Sequence, residues 1–354
     1  MNGQQRWRSV IERKSVDRVP CDIWATPEVI EKLCRRLRCH GYWPLVDKLG
    51  IDAPYTVEPR YVGPEPRENT NIWGVTSRRI DYGSGAYDET VFSPLAGAKT
   101  VADIDAHHWP SADWYDYSRI AGDIEAHAHR PIRAGYVEPF MIYAAMRGME
   151  NAMMDTIEHP AMIERAFDHI FAFATEQFIR ILEQAKGRVD ITVPSEDLGS
   201  QTGPLFSLET FRRLHKERFR KYIELARQAG VFVFFHTDGA AHNFIPELIE
   251  IGVQILNPIQ WRCPGMEREA LKRDFGERLV FHGGVDNQQV LPFGSVENVR
   301  AEVIKCFETL GLGGGYICAP CHNIQPNTPV ENILAMYETI REISADKRYT
   351  HSAV

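Results

Sequence analysis

From residue 130 onward, short apolar runs alternate with longer segments of helical period. The runs Ile132–Val137, Val189–Val193, Val231–Phe235, Gln254–Asn257, Arg278–Phe281 and Gly315–Ala319 are each four to six residues long, and most are apolar at nearly every position. Such continuous patterning marks strands buried on both faces rather than half-exposed antiparallel ones. Between them, Ala161–Ala185 repeats apolar residues at Ile163, Phe167, Ile170, Phe171, Ile181 and Leu182, the spacing of one helix face. Further helices are expected over Leu208–Ala229, Phe244–Ile251, Met266–Phe275 and Val296–Leu310, and four of the helices are followed by Gly230, Gly252, Gly276 and Gly311 as C-terminal caps. Thr328-Pro329-Val330-Glu331 reads as a capping box opening the last helix.

The first third of the chain is less regular. A short helix precedes a strand over Arg18–Ala25, and Thr26-Pro27 opens a helix through Leu37. Asn71–Ile80 and Ala86–Phe92 lean towards β structure around Tyr82-Gly83-Ser84-Gly85, so residues 55–100 are expected to lay a hairpin insertion over the main fold. Val101–Tyr117, acidic and proline-punctuated, reads as connecting loop and surface helix. Strand and helix alternating in this way predict seven or eight βα units, and hence a (β/α)8 barrel with an N-terminal helical and hairpin elaboration rather than an open sheet. No linker or repeat divides residues 1–354, which are expected to form one domain.

Composition narrows the setting. Hydrophobic residues at 44% and charged residues at 25% are ordinary for a water-soluble enzyme, and a net charge of −8 argues against nucleic-acid or anionic-membrane partners. No apolar run approaches the roughly 18 residues of a spanning helix, and the first residues lack the apolar stretch of a secretion signal. Seven cysteines without small-domain spacing suit a reducing cytoplasm.

Candidate chemistry collects where barrels keep it, at the C-terminal ends of the strands. Those ends deliver Asp22 or Trp24, Glu138, Glu196 with Asp197, His236 with Asp238, Asn257 with Gln260, His282 with Asp286, and Cys321 with His322. His236, Asp238 and His322 offer two imidazole nitrogens and a carboxylate, a set that suits Zn²⁺ with an open position and equally the facial triad of Fe(II). Cys321 is a substitute or additional ligand, and Cys318 is expected in barrel packing. Without a metal, Asp238 would cap the following turn and His236 would be a hydrogen-bonded strand-end residue. Glu196 and Asp197 are candidate catalytic groups, because adjacent carboxylates repel and one proton affinity should rise. His282 joins them as a third.

Over half of the chain, from Pro131 to the last helix, resembles the uroporphyrinogen decarboxylase-like superfamily. The resemblance is carried by Asp197-Leu198-Gly199-Ser200-Gln201, Phe235-His236-Thr237-Asp238-Gly239, Leu256-Asn257-Pro258-Ile259-Gln260, Gly283-Gly284-Val285-Asp286 and, most specifically, Pro320-Cys321-His322-Asn323-Ile324-Gln325-Pro326. Arg18-Val19-Pro20 and Asp22-Ile23-Trp24 look like that family's opening strand. Its decarboxylases carry an arginine-rich segment after this strand, where the present chain reads Ala25-Thr26-Pro27-Glu28-Val29. The corrinoid-linked methyltransferase branch is therefore the nearer match. That branch holds zinc with a His-x-Cys pair and a later cysteine. The resemblance then implies His236 as first ligand, Asp238 in place of the second and His322 in place of the third, with Cys321 the alternative.

A His/Asp/His set is harder than thiolate-rich zinc and better suited to polarising an oxygen. The expected activity is removal of a methyl group from a small donor, such as a methoxy compound, to cobalamin carried by a separate corrinoid protein. Asn257, Gln260, Gly284 and Asp286 are the expected corrinoid contacts, and Trp24, Glu138 and Tyr143 the expected substrate wall. Association into a homodimer is implied by the resemblance alone. The competing expectations are a metal-free decarboxylase and a non-catalytic corrinoid- or tetrapyrrole-binding barrel.

Overall fold

A computed structural model describes residues 1–83 and 85–351; Ser84, within the expected hairpin turn, lies outside the described residues. Seven strands form one parallel sheet in the spatial order of the chain: β1 (Tyr55–Thr56), β2 (Ile132–Val137), β3 (Ile191–Pro194), β4 (Phe232–His236), β5 (Ile255–Asn257), β6 (Val280–Val285) and β7 (Tyr316–Pro320). Register follows from pairs such as Arg133 with Ile191, Phe234 with Ile255 and His282 with Ile317. Each strand therefore sends alternate residues inward at matching heights.

The eighth stave is the stretch expected as a strand over Arg18–Ala25. It makes isolated bridges rather than a regular ladder, at Cys21 with Cys318 and Ala25 with Ile324. Cys318 N–H donates to Pro20 O (3.0 Å), Asp22 N–H to Cys318 O (3.0 Å) and Asp52 N–H to Cys21 O (2.8 Å), which joins β7 to the segment entering β1 and closes the barrel. The (β/α)8 expectation is met.

Two apolar layers account for the closure. The larger lies between strands and helices and includes Phe167, Phe219, Phe235 and Phe281. The smaller fills the barrel floor with Val193, Phe234, Ile255, Val280 and Ile317, and the helix Gly3–Ile11 plugs it from below through Trp7, Val10 and Ile11. Trp7 stacks on Phe234 (6.5 Å between centroids), and Phe234 on Trp24 (6.3 Å), so a column of rings rises from the floor to the mouth.

The long helix runs over Pro160–Ala185, one residue ahead of its expected start. The helix expected over Leu208–Ala229 widens to i→i+5 spacing at Arg212–Lys216. The helix expected to be last runs over Val330–Ile343 with Pro329 as its cap, and a short one over Lys347–Thr350 follows it; the expected box at Thr328 does not form, because Pro329 is extended (ψ 136°) and the buried Thr328 hydroxyl has no partner among the described residues. Thr76–Asp81 and Ala86–Phe92 pair antiparallel as expected, and a methyl group at Gly85 would come within 3.1 Å of Pro326, so the hairpin tip reaches the loop after β7. No described helix is long and apolar enough to cross a membrane.

Candidate active site and metal centre

His236 ends β4, and the chain turns at once. Gly239 takes φ +75°, and a Cβ there would sit 2.5 Å from Ser200 O, so the Asp197–Ser200 loop lies directly against the turn. That loop fixes the turn: Asp238 N–H donates to Asp197 Oδ1 (3.0 Å), Leu198 N–H to Thr237 Oγ1 (3.1 Å) and Gly239 N–H to Gln260 Oε1 (2.5 Å). Asp238 is thereby aimed at the mouth instead of capping its own turn. His322 arrives from the loop after β7, which Ile324 N–H ties to Trp24 O (2.8 Å).

The ligand atoms of His236, Asp238 and His322 all lie within 4.8 Å of one another. Asp238 Oδ1 is 3.8 Å from His236 Nε2, and Oδ2 is 3.6 Å from His322 Nε2. Asp238 Oδ1 is buried and has no hydrogen-bond partner among the described residues. Burial raises the proton affinity of this carboxyl, opposed by the two histidines. A buried carboxylate set between two imidazoles with one oxygen orphaned is costly unless something positive binds there. Tetrahedral zinc donors stand about 3.3 Å apart, so the separations need only a small contraction.

A relay of side chains behind the cluster selects which nitrogens face it. His236 Nδ1 bonds Asn257 Oδ1 (2.6 Å), Asn257 Nδ2 bonds His282 Nδ1 (2.7 Å), and His282 Nε2 bonds Asp22 Oδ2 (3.1 Å). An amide oxygen can only accept, so His236 donates from Nδ1 and keeps a lone pair on Nε2. The amide nitrogen can only donate, so His282 accepts at Nδ1 and donates from Nε2 to the carboxylate. Every member is satisfied with both imidazoles neutral. This is the second-layer orientation that metal-binding histidines use. Trp24 N–H also donates to Asp22 Oδ2 (3.1 Å), and its ring lies flat on His236 (5.3 Å, 24°).

Two cavities lie at this end of the barrel, one lined by the cluster itself and one joined to it through Trp24. One of about 600 Å³ is polar and amide-rich, lined by Gln201, Asp238, Gln260, Gln288 and His322 among others. The other, of about 670 Å³, is largely apolar and aromatic, lined by Trp24, Trp73, Tyr136, Glu138, Met141 and Phe173 among others. Glu138 there accepts from the Tyr136 hydroxyl and from Ser195 Oγ (3.1 Å).

Most of the other expected site residues fall elsewhere. Cys321 is buried and its thiol donates to Ile259 O (3.0 Å), which takes it out of the metal cluster; burial pushes its proton affinity up, so it stays a thiol. Glu196 does not face the mouth. It is buried, with Oε2 accepting from Phe140 N–H (2.7 Å) at the start of the helix Pro139–Arg147. Its proton affinity is raised well above the ordinary value, as expected for one of the pair, but burial rather than repulsion by Asp197 is the main cause. The neighbouring His215 is driven the other way, to about 3, by burial. Tyr143 is buried and donates to Asp155 (2.6 Å) beside Arg147, away from any substrate wall. His282 has no exposed surface and can only position. Gly284 packs inside, where a Cβ would meet Leu310 at 2.9 Å. Asp286 pairs with Arg262 (2.5 Å) and accepts from Gln288 and Gln289 N–H. Of the expected corrinoid contacts only Gln260 lines a cavity, since Asn257 stands behind His236. Trp24 and Glu138 do line the apolar cavity. The expected ligand set did not include the relay; its only trace in the sequence was that Asp22, Asn257 and His282 all fell at strand ends.

Fold and site together define a closed parallel barrel that presents a two-histidine, one-carboxylate cluster at its mouth. The chain belongs to the uroporphyrinogen decarboxylase (URO-D) family, which matches residues 121–343. It is similar to the methylcobamide:CoM methyltransferase MtaA of Methanosarcina barkeri strain Fusaro, at 23% identity over 94% of this chain and 95% of that one. Over 35% of its length it is 31% identical to the uroporphyrinogen decarboxylase of Solibacter usitatus, covering 34% of that protein. Among solved structures, a methyltransferase from Methanosarcina mazei superposes with a TM-score of 0.67 at 18% identity, covering 97% of this chain and 99% of that one.

Proposed function

We propose that this protein is a zinc-dependent methyltransferase that moves a methyl group from a small methoxylated donor to the cobalt of a corrinoid held by a separate protein. The observation that carries the reading is the Asp238 carboxylate, with Oδ1 facing His236 Nε2 and Oδ2 facing His322 Nε2, whose buried Oδ1 has no hydrogen-bond partner among the described residues. Full-length similarity to a methylcobamide:CoM methyltransferase supports the reaction class. Zinc held by His236, Asp238 and His322 would supply a Lewis acid for the oxygen that loses its methyl group.

The protein's own residues do the rest. Asn257 and Asp22 hold His236 and His282 in fixed tautomers, and Trp24 covers His236 against water. The O–CH₃ bond breaks, its carbon is taken by the electron pair of a cobalt(I) nucleophile, and the oxygen keeps the bonding pair and gains a proton. With Glu196 turned away, Glu138, hydrogen-bonded to Tyr136 on the cavity wall, would be a group to pass that proton. The amide-rich cleft beside Asp238 and His322, with Gln260 on its wall, is the approach for the partner's corrinoid.

The test is metal analysis joined to turnover. Purified protein should carry one equivalent of zinc, which is lost with His236→Ala and kept with Cys321→Ala. Incubation with methoxylated donors and cob(I)alamin should produce methylcobalamin by absorbance. Wild-type protein that holds no metal after gentle purification sinks the proposal, as does absence of transfer across a broad donor panel.

A further inference from the structure

We infer that the apolar cavity takes an aromatic carboxylate and that Arg133 holds its carboxylate; this rests on the methyl-transfer reading only for which group the ring would carry towards the metal cluster. Arg133 belongs to β2 and pairs with Thr56 on one side and Ile191 on the other, so it shares the inward face with Ile191. Its side chain lines both the large cavity and a smaller one bounded by Asp22, Trp24, Tyr42 and Asn323. Its Nε donates to Thr56 Oγ1 (2.8 Å), and no carboxylate among the described residues pairs with its terminal nitrogens.

Three acids share these cavities: Glu58 is exposed and makes no ion pair with Arg133, and the other two are already engaged. Asp22 accepts from Ile23 N–H (2.8 Å), Trp24 Nε1 (3.1 Å) and His282 Nε2 (3.1 Å). Glu138 accepts from Tyr136 and Ser195. A half-buried guanidinium with its planar fork free is a site for a carboxylate, which it can bind through two parallel hydrogen bonds.

The rest of the cavity selects a ring. Trp73 meets Phe173 edge-on at 5.4 Å, and with Trp24 and Met141 they make walls suited to a flat apolar body. A volume of about 670 Å³ lies within the range of small-molecule sites and admits a substituted ring. Trp73 is set by Asn71, whose Oδ1 accepts from Trp73 N–H (3.0 Å) and Val75 N–H (3.1 Å), so the segment leading into the hairpin shapes the pocket. Trp24 lies on this cavity's wall and also stacks on His236, so the cavity and the metal cluster share that ring, and a methoxyl group would be carried on the Trp24 side of the ligand.

Binding is measured by titration calorimetry on the purified protein with 4-methoxybenzoate and with its neutral isostere 4-methoxybenzamide. No corrinoid is present, so the result stands whether or not methyl transfer occurs. The carboxylate is expected to bind at least tenfold more tightly than the amide. Arg133→Gln should reduce the carboxylate to the level of the amide, and Arg133→Lys should recover only part of the loss. Equal binding of acid and amide by the wild-type protein overturns the inference, as does no saturable binding of either. Unchanged carboxylate affinity in Arg133→Gln does the same. The wild-type comparison decides the matter even if a variant fails to fold.

Discussion

Asn257 makes the sharpest test of how the centre is built, because it touches neither substrate nor metal. Its amide is the joint of the relay, accepting from His236 Nδ1 at 2.6 Å and donating to His282 Nδ1 at 2.7 Å. Asn257→Leu keeps nearly the same shape and removes both bonds. His282 is fully buried and His236 nearly so, so each stranded nitrogen should cost about 1–3 kcal/mol, or about 2–6 kcal/mol for the metal-free protein. His236 would also lose the bond that keeps its lone pair on Nε2, which should weaken zinc about 10- to 100-fold. Asn257→Asp separates the two effects. It still accepts from His236 but cannot donate to His282, so it should hold zinc more tightly than Asn257→Leu while still losing stability. Zinc affinity is read by competition with a chromophoric chelator, and stability by urea denaturation of chelator-treated protein. Wild-type zinc affinity and an unshifted urea midpoint in Asn257→Leu would refute the relay.

Two further outcomes test the placements that differ from expectation. Burial raises the proton affinity of Glu196, so the folded chain binds more protons than the unfolded chain between the ordinary carboxylate range and the raised value, and stability must fall as pH climbs through that window. Glu196→Gln keeps an acceptor for Phe140 N–H and removes this loss, so its urea midpoint should change less between pH 5 and pH 8 than that of the wild type; parallel profiles would show that Glu196 is not buried as described. Tyr143→Phe should lower stability by about 1–3 kcal/mol through the lost bond to Asp155 while leaving the donor KM within about twofold. A raised KM at unchanged stability would return Tyr143 to the substrate wall.

The apolar runs made the barrel legible before any coordinates, since strands buried on both faces between amphipathic helices have few other ways to pack. His236, Asp238 and His322 were legible for a related reason: strand ends of a barrel point to one mouth, so residues far apart in sequence could be assigned to one place. Where the reading failed, local sequence carried no sign of direction. Glu196 and Asp197 are adjacent, yet one turns under a helix and the other holds the Asp238 backbone. Cys321 and His322 are adjacent too, and only the second reaches the cluster. A one-residue step reverses the face to which a side chain points, and packing sets that register.

By itself, then, the sequence determined the closed parallel barrel and the three side chains that could hold a metal, because periodicity and strand-end position are written in the order of residues. Tertiary structure alone decided that Asp22, His282 and Asn257 form one relay behind His236, that Trp73 and Arg133 share a cavity with Trp24, and that Gly3–Ile11 seals the floor. Those pairings join residues up to 260 positions apart, and only closure of the barrel brings them within hydrogen-bonding distance.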